Sequence, residues 1–156
     1  MLTISQRQEL IEKIKAFPAQ LKAVVAPLTA AQLTAPDPEG GWTAAQIVHH
    51  LADSHLNSYI RLKLILTEEQ PTLKPYDQEA WAGLADGDTP AIEDSLAILE
   101  GLHRRWTRLF ESLEEADWQR GGFHPEIGLV TPEDLLRIYV GHGADHLDQM
   151  RRVLAG

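Results

Sequence analysis

Proline, glycine and capping residues divide this chain into four long stretches whose apolar residues recur at helical spacing, and almost nothing in it alternates as a strand would. The first, about 5–25, carries Leu10, Ile11, Ile14, Phe17, Leu21 and Val24. Pro18 lies inside it and is expected to kink or divide the helix, because proline removes an i→i−4 bond. Thr29 through Leu33 adds a short turn before the breaker-rich segment 36–41. The second stretch opens at Thr43, where Gln46 completes a capping box and Trp42 can staple onto Ile47, and it runs to about 66. Thr89-Pro90 gives the start signal for the third, which continues through Leu96, Leu99, Leu102, Trp106, Leu109 and Leu113. Thr131-Pro132-Glu133-Asp134 repeats that signal for a fourth, reaching about 154. Each stretch is roughly 30–37 Å long at 1.5 Å per residue. The connection 71–88 is long enough to hold a helical turn or part of a site, and Phe123 to Val130 can form at most a small hairpin. The pattern predicts an all-α, antiparallel four-helix bundle with long inter-helix loops, in one domain spanning 1–156.

Composition removes several function classes. The chain has no cysteine, which excludes disulfides, thiolate metal sites and a cysteine nucleophile. Its 23 acidic and 14 basic residues give a net charge of −9, the opposite of the basic footprint that nucleic acid requires. No apolar run approaches the roughly 20 residues that span a bilayer. The first residues do not read as a signal peptide. The expectation is a cytoplasmic protein acting on a small molecule, with neither nucleic acid nor membrane as partner.

Histidines carry the chemistry. His142-Gly-Ala-Asp-His146 places two imidazoles about 40° apart and one turn apart on the fourth helix, able to share one metal ion. A third ligand would come from a facing helix, and the second helix carries His49, His50 and His55. Ser54, Asn57 and Arg61 fall within about 40° of His50, forming a polar row that is costly in a bundle interior unless paired or ligated. His50 is therefore the best third ligand. His49 and His55 point elsewhere and are expected at the bundle surface or a helix interface, and His103 at the edge of the core. His124, in a glycine-flanked loop, could reach a site mouth. Asp53 and Asp145 are candidates to orient an imidazole or to serve as general base, against the alternative of solvated helix acids. A His-Glu-x-x-His metalloprotease is excluded, because Gly143 follows His142.

The stretch 40–61, Pro75-Tyr76 through Trp81, Leu102 through Trp106, Phe123-His124-Pro125 and Tyr139 through His146 together resemble the DinB/YfiT-like family of bacterial metal-binding four-helix bundles. The closer similarity is to its YfiT branch, described as metal-dependent hydrolases and including bacillithiol S-transferases. The resemblance covers nearly the whole chain and implies three histidine ligands, which fall here on His50, His142 and His146. It implies one divalent ion, zinc or nickel, although imidazoles alone suit copper and iron as well. It also implies a homodimer. Gly143 and Ala144 depart from close relatives and bear on the pocket.

Three neutral ligands leave open positions on a metal, as catalytic sites do. The leading expectation is thiol S-transfer, with a low-molecular-weight, bacillithiol-type thiol attacking an electrophilic small molecule. The nucleophile would have to come with the cosubstrate, since the protein supplies none. Asn57 and Arg61 would anchor the thiol's polar groups, or else form a polar pair within the bundle. The alternatives are hydrolysis by metal-activated water, a non-catalytic metal-binding stress-response protein, and a purely structural bundle.

Overall fold

The computed structural model describes residues 1–37 and 40–155; Pro38 and Glu39, in the breaker-rich segment, and Gly156 lie outside the described residues. The four long helices are present as α1 (Ile4–Val25), α3 (Ala44–Thr67), α5 (Glu93–Glu111) and α7 (Pro132–Ala155). Short helices occupy the connections, namely α2 (Ala30–Leu33), α4 (Gln78–Ala82) and α6 (Glu115–Trp118). The small hairpin consists of β1 (Gly122–His124) and β2 (Gly128–Val130), paired antiparallel with Phe123 opposite Leu129. Among the described residues, no helix is long and apolar enough to cross a membrane.

Local chemistry sets the helix starts. Thr3, Thr29 and Thr43 each cap a helix through a reciprocal box with the glutamine three residues on. Thr131 does the same with Asp134 ahead of α7. The expected start at Thr89-Pro90 is displaced. Helix α5 begins at Glu93 behind Ile92, which makes no side-chain cap. The Thr89 carbonyl is instead engaged by His49 Nε2 at 2.9 Å. Pro18 does not divide α1, which continues through it to Val25. The proline still lacks an N–H, so the Ile14 carbonyl one turn earlier has no i+4 donor.

The order of the bundle is less direct than an up-down succession. Helix α1 packs on α5 and α7, and α3 packs on the same two. The consecutive long helices α1 and α3 are therefore diagonal, as are α5 and α7, and two of the long connections cross the bundle. The loop after α3 is tied to the hairpin by backbone bonds from Leu73 N to Phe123 O and from Phe123 N to Pro71 O, both 2.8 Å.

Two apolar cores fill the interior. One gathers Ile11, Ile14, Leu62, Ile65, Trp106, Phe110, Leu136 and Tyr139; the other gathers Phe17, Leu21, Ile47, Leu51, Leu99, Leu147 and Met150. Along every long helix the switch from one core to the other falls at the same level. That level holds His55 on α3, His103 on α5 and His142 on α7. A polar layer buried between two apolar cores survives only if its groups find partners.

Candidate metal centre

Three imidazoles converge where α3 faces α7. His142 Nε2 lies 3.2 Å from His50 Nε2 and 3.2 Å from His146 Nε2. The ligand atoms of His50, His142 and His146 all fall within 4.8 Å of one another. For a metal bound at 2.0–2.1 Å, the nitrogens of a tetrahedral site stand about 3.3 Å apart, so two of the three separations already have the required length.

The outer nitrogens show what the inner ones must be. His146 Nδ1 lies 2.8 Å from Gln149 Oε1, an acceptor, so Nδ1 carries the proton and Nε2 a lone pair. His142 Nδ1 lies 3.2 Å from His55 Nε2. Behind it, His55 Nδ1 is 2.8 Å from His103 Nε2, and His103 Nδ1 is 2.6 Å from the Ile14 carbonyl. Burial pushes His142 down to about 3, with the charges of His146 and His50 acting in the same sense. Burial and then His146 lower His50 to about 4. His103 is held to about 4, and His55 well below the ordinary imidazole range, again chiefly by burial. These are neutral rings at neutral pH. Neutral imidazoles whose facing nitrogens are unprotonated can hold a divalent ion at the point where they converge.

The surroundings of the trio are aromatic and partly polar. The Trp42 ring lies 4.5 Å from His50 and stacks over His146 at 6.3 Å, while its Nε1 donates to Glu79 of α4 at 3.0 Å. Tyr139 stands 5.4 Å from His142, ring to ring, and its hydroxyl is 3.5 Å from Ser54 Oγ. Tyr76 is close to Ser54, Tyr139, Asp53 and Arg61, and burial raises its phenol above the usual range. Arg61 donates to the Lys74 carbonyl at 2.7 Å. His124 is buried, accepts from Glu126 N through Nδ1, and feels the Arg61 charge. Asn57 donates to the Asp53 carbonyl and lines a cleft of about 300 Å3 with Lys74, Tyr76 and Trp81. A polar strip thus leads from the trio toward Arg61.

The remaining sequence-based expectations fare unevenly. His49 is at a helix interface, bonded to Ser95 Oγ at 2.8 Å as well as to Thr89 O. His55 is likewise at a helix interface, enclosed between α3, α5 and α7 rather than at the surface, and His103 is inside the core rather than at its edge, at 0% and 1% exposure. Because α3 packs on both α5 and α7, it has two inward faces, one bearing His50 and the other His55. Angles measured from His50 alone leave the second face out of view. Asp53 is half-buried beside Asp86 and His49, with its carboxyl raised first by burial. Asp145 is exposed. The imidazole partners on α7 are Gln149 for His146 and His55 for His142. Gly143 does not open a pocket: a Cβ there would stand 2.8 Å from the Phe17 ring, so glycine lets α1 close on α7.

The DinB superfamily pattern matches residues 13–150. The chain is 46% identical over 143 residues to "Putative metal-dependent hydrolase YfiT" of Bacillus subtilis strain 168, covering 91% of this chain and 80% of that protein. It is 47% identical over 139 residues to a protein of the same description from Oceanobacillus iheyensis, covering 89% and 80%. The solved structure of Bacillus subtilis YfiT, described as a probable metal-dependent hydrolase with an unusual four-helix bundle topology, superposes with a TM-score of 0.94. It is 43% identical, and the match covers 98% of this chain and 88% of that one.

Proposed function

The chain belongs to the DinB superfamily, and on that premise we propose that it is a metal-dependent enzyme whose ion is held by His50, His142 and His146. The observation that carries this reading is the convergence of three ring nitrogens, with His142 Nε2 at 3.2 Å from both His50 Nε2 and His146 Nε2. Where such facing nitrogens both carry lone pairs, they repel unless a cation lies between them. A divalent ion on three neutral imidazoles keeps its full charge and open positions, and so lowers the pKa of a water or thiol that reaches it.

Of the two nucleophiles, a small thiol is the leading reading. No carboxylate joins the three histidines in the metal-binding group among the described residues, so an aspartate or glutamate base for water is not part of the cluster. The strip of Tyr76, Arg61 and His124 offers one cation and neutral donors to an anionic cosubstrate, with Asn57 beside it. In the transfer, the sulfur bonds to an electrophilic carbon, the leaving group departs with its electron pair, and the thiol proton passes to solvent. Trp42 and Tyr139 stand against the rings of His50 and His142. Hydrolysis is the second reading, favoured by the description that the relatives carry.

The test is stoichiometric. Metal-loaded protein is given an alkyl or aryl halide, with and without a carboxylate-bearing thiol. Transfer consumes thiol one for one with halide release and needs both the metal and the thiol. Halide release that continues at the same rate without thiol would establish hydrolysis instead. The ligand set is checked separately by metal content in His50→Ala, which should lose the ion.

A further inference from the structure

We propose that His55 and His103 are positioning residues in a one-way hydrogen-bond chain that holds His142 as its Nδ1–H tautomer and so turns its Nε2 lone pair to the metal. The inference rests on the metal-centre reading above.

The direction of the chain follows from its far end. The Ile14 carbonyl can only accept, so His103 Nδ1, 2.6 Å away, carries a proton. A neutral His103 then has a lone pair on Nε2, which faces His55 Nδ1 at 2.8 Å. His55 Nδ1 must therefore donate, leaving a lone pair on its Nε2 toward His142 Nδ1 at 3.2 Å. His142 Nδ1 donates in turn, and Nε2 is left unprotonated toward the trio. The reverse direction would set a lone pair of His103 against the carbonyl oxygen. Three consecutive neutral imidazoles thus have one self-consistent arrangement, and it is the one that can ligate.

The surrounding side chains serve this chain. Pro18 supplies no N–H to the Ile14 carbonyl, leaving that oxygen for His103. The Phe17 ring covers His55 and His103 at 5.2 and 5.4 Å, and the absence of a side chain at Gly143 admits it. Trp106 meets both rings edge-on, and Tyr139 meets His55 likewise. Enclosed in this way, the ring nitrogens bond to one another rather than to water. Metal-ligating histidines generally pass their second N–H to a carboxylate, a carbonyl or water. Here two further imidazoles carry that role across the bundle to a carbonyl.

The test reads tautomers directly, by long-range proton–nitrogen NMR of histidine-labelled protein at pH about 8, above the ordinary imidazole pKa. His55, His103 and His142 should all be Nδ1–H tautomers in the metal-free protein and remain so with zinc. His142 as the Nε2–H form, or as a mixture, in metal-free protein would overturn the proposal. Zinc affinity, from competition with a chromophoric chelator, supplies the second readout. His55→Leu should bind zinc about tenfold to a hundredfold more weakly, and His55→Gln, which restores an acceptor, should recover much of the loss. Equal zinc affinity in wild type and His55→Leu would also overturn it. Should His55→Leu fail to fold, Pro18→Ala returns a competing N–H to Ile14 and should shift the His103 Nδ1 proton resonance while leaving the fold intact; an unmoved resonance counts against the proposal. Tautomers as described with no zinc bound would overturn the metal centre, not the direction of the chain, so the two failures are separable.

Discussion

The trio of His50, His142 and His146 and the pair of His55 and His103 are built from the same side chain and joined to one another, yet they end differently. In the pair, each N–H meets an acceptor and each lone pair meets a donor, so the protein itself satisfies both rings. In the trio, the protons of His142 and His146 point outward to His55 and Gln149, and their lone pairs face inward. A buried histidine is therefore informative through its unmet half. Closed hydrogen bonding marks a structural ring, and converging lone pairs mark a place for a cation. His142 belongs to both groups and joins them.

Removing that junction should have the largest effect. His142→Ala takes away a ligand and the terminus of the chain together, and metal content should fall from about one equivalent to near zero, as read by elemental mass spectrometry of the purified variant. Acidification comes next and acts on both groups at once. His103 is held to about 4 in the folded state against an ordinary 6.5, so below 6.5 the unfolded chain binds a proton that the folded chain refuses. Its contribution is complete above 6.5 and is lost as pH falls toward 4, at about 1.4 kcal/mol per pH unit for such a ring. His50 and His142 titrate in the same sense, to about 4 and about 3. Urea denaturation of the metal-free protein should show stability falling across this window with a slope of more than one proton. A flat profile would mean that the rings are not buried as neutral groups.

Gly143→Ala probes the pair with less disturbance of the trio. Forcing a methyl against Phe17 should cost about 1–3 kcal/mol in denaturant, with metal stoichiometry preserved. If the variant were as stable as the parent, Phe17 would not be pressed onto the two rings. Gln149→Ala is the mildest change. It removes only the acceptor at His146 Nδ1, and zinc binding should weaken by about tenfold with the fold unaffected. Titration against a chelator resolves a change of that size.

Much of this was legible beforehand. Threonine–glutamine pairs at Thr43 and Gln46, and the Thr131-Pro132 start, marked helix ends because capping is a local matter settled within four residues. The trio was legible because i,i+4 spacing is local, and the polar row on α3 named His50. Three things were not. The start of α5 moved from Thr89 to Glu93, since the Thr89 carbonyl is claimed by His49, a residue forty positions away. The roles of His55 and His103 depended on which helices adjoin α3, and helical periodicity says nothing of neighbour order. Pro18 has the local meaning of a kink or a division; the freed oxygen acquires a use only when α5 lies alongside.

The histidine chain also bears on how the bundle assembles. Ile14, His103, His55 and His142 sit on α1, α5, α3 and α7 in turn, one link from each long helix. A helix that slid by one residue would rotate its link by about 100° and break the sequence of donors and acceptors. Loosely packed helices could still bury leucines, because apolar contact tolerates sliding. They could not present the His142 lone pair. Metal affinity then works as a checksum on helix alignment, distinguishing the finished bundle from a collapsed one of the same composition.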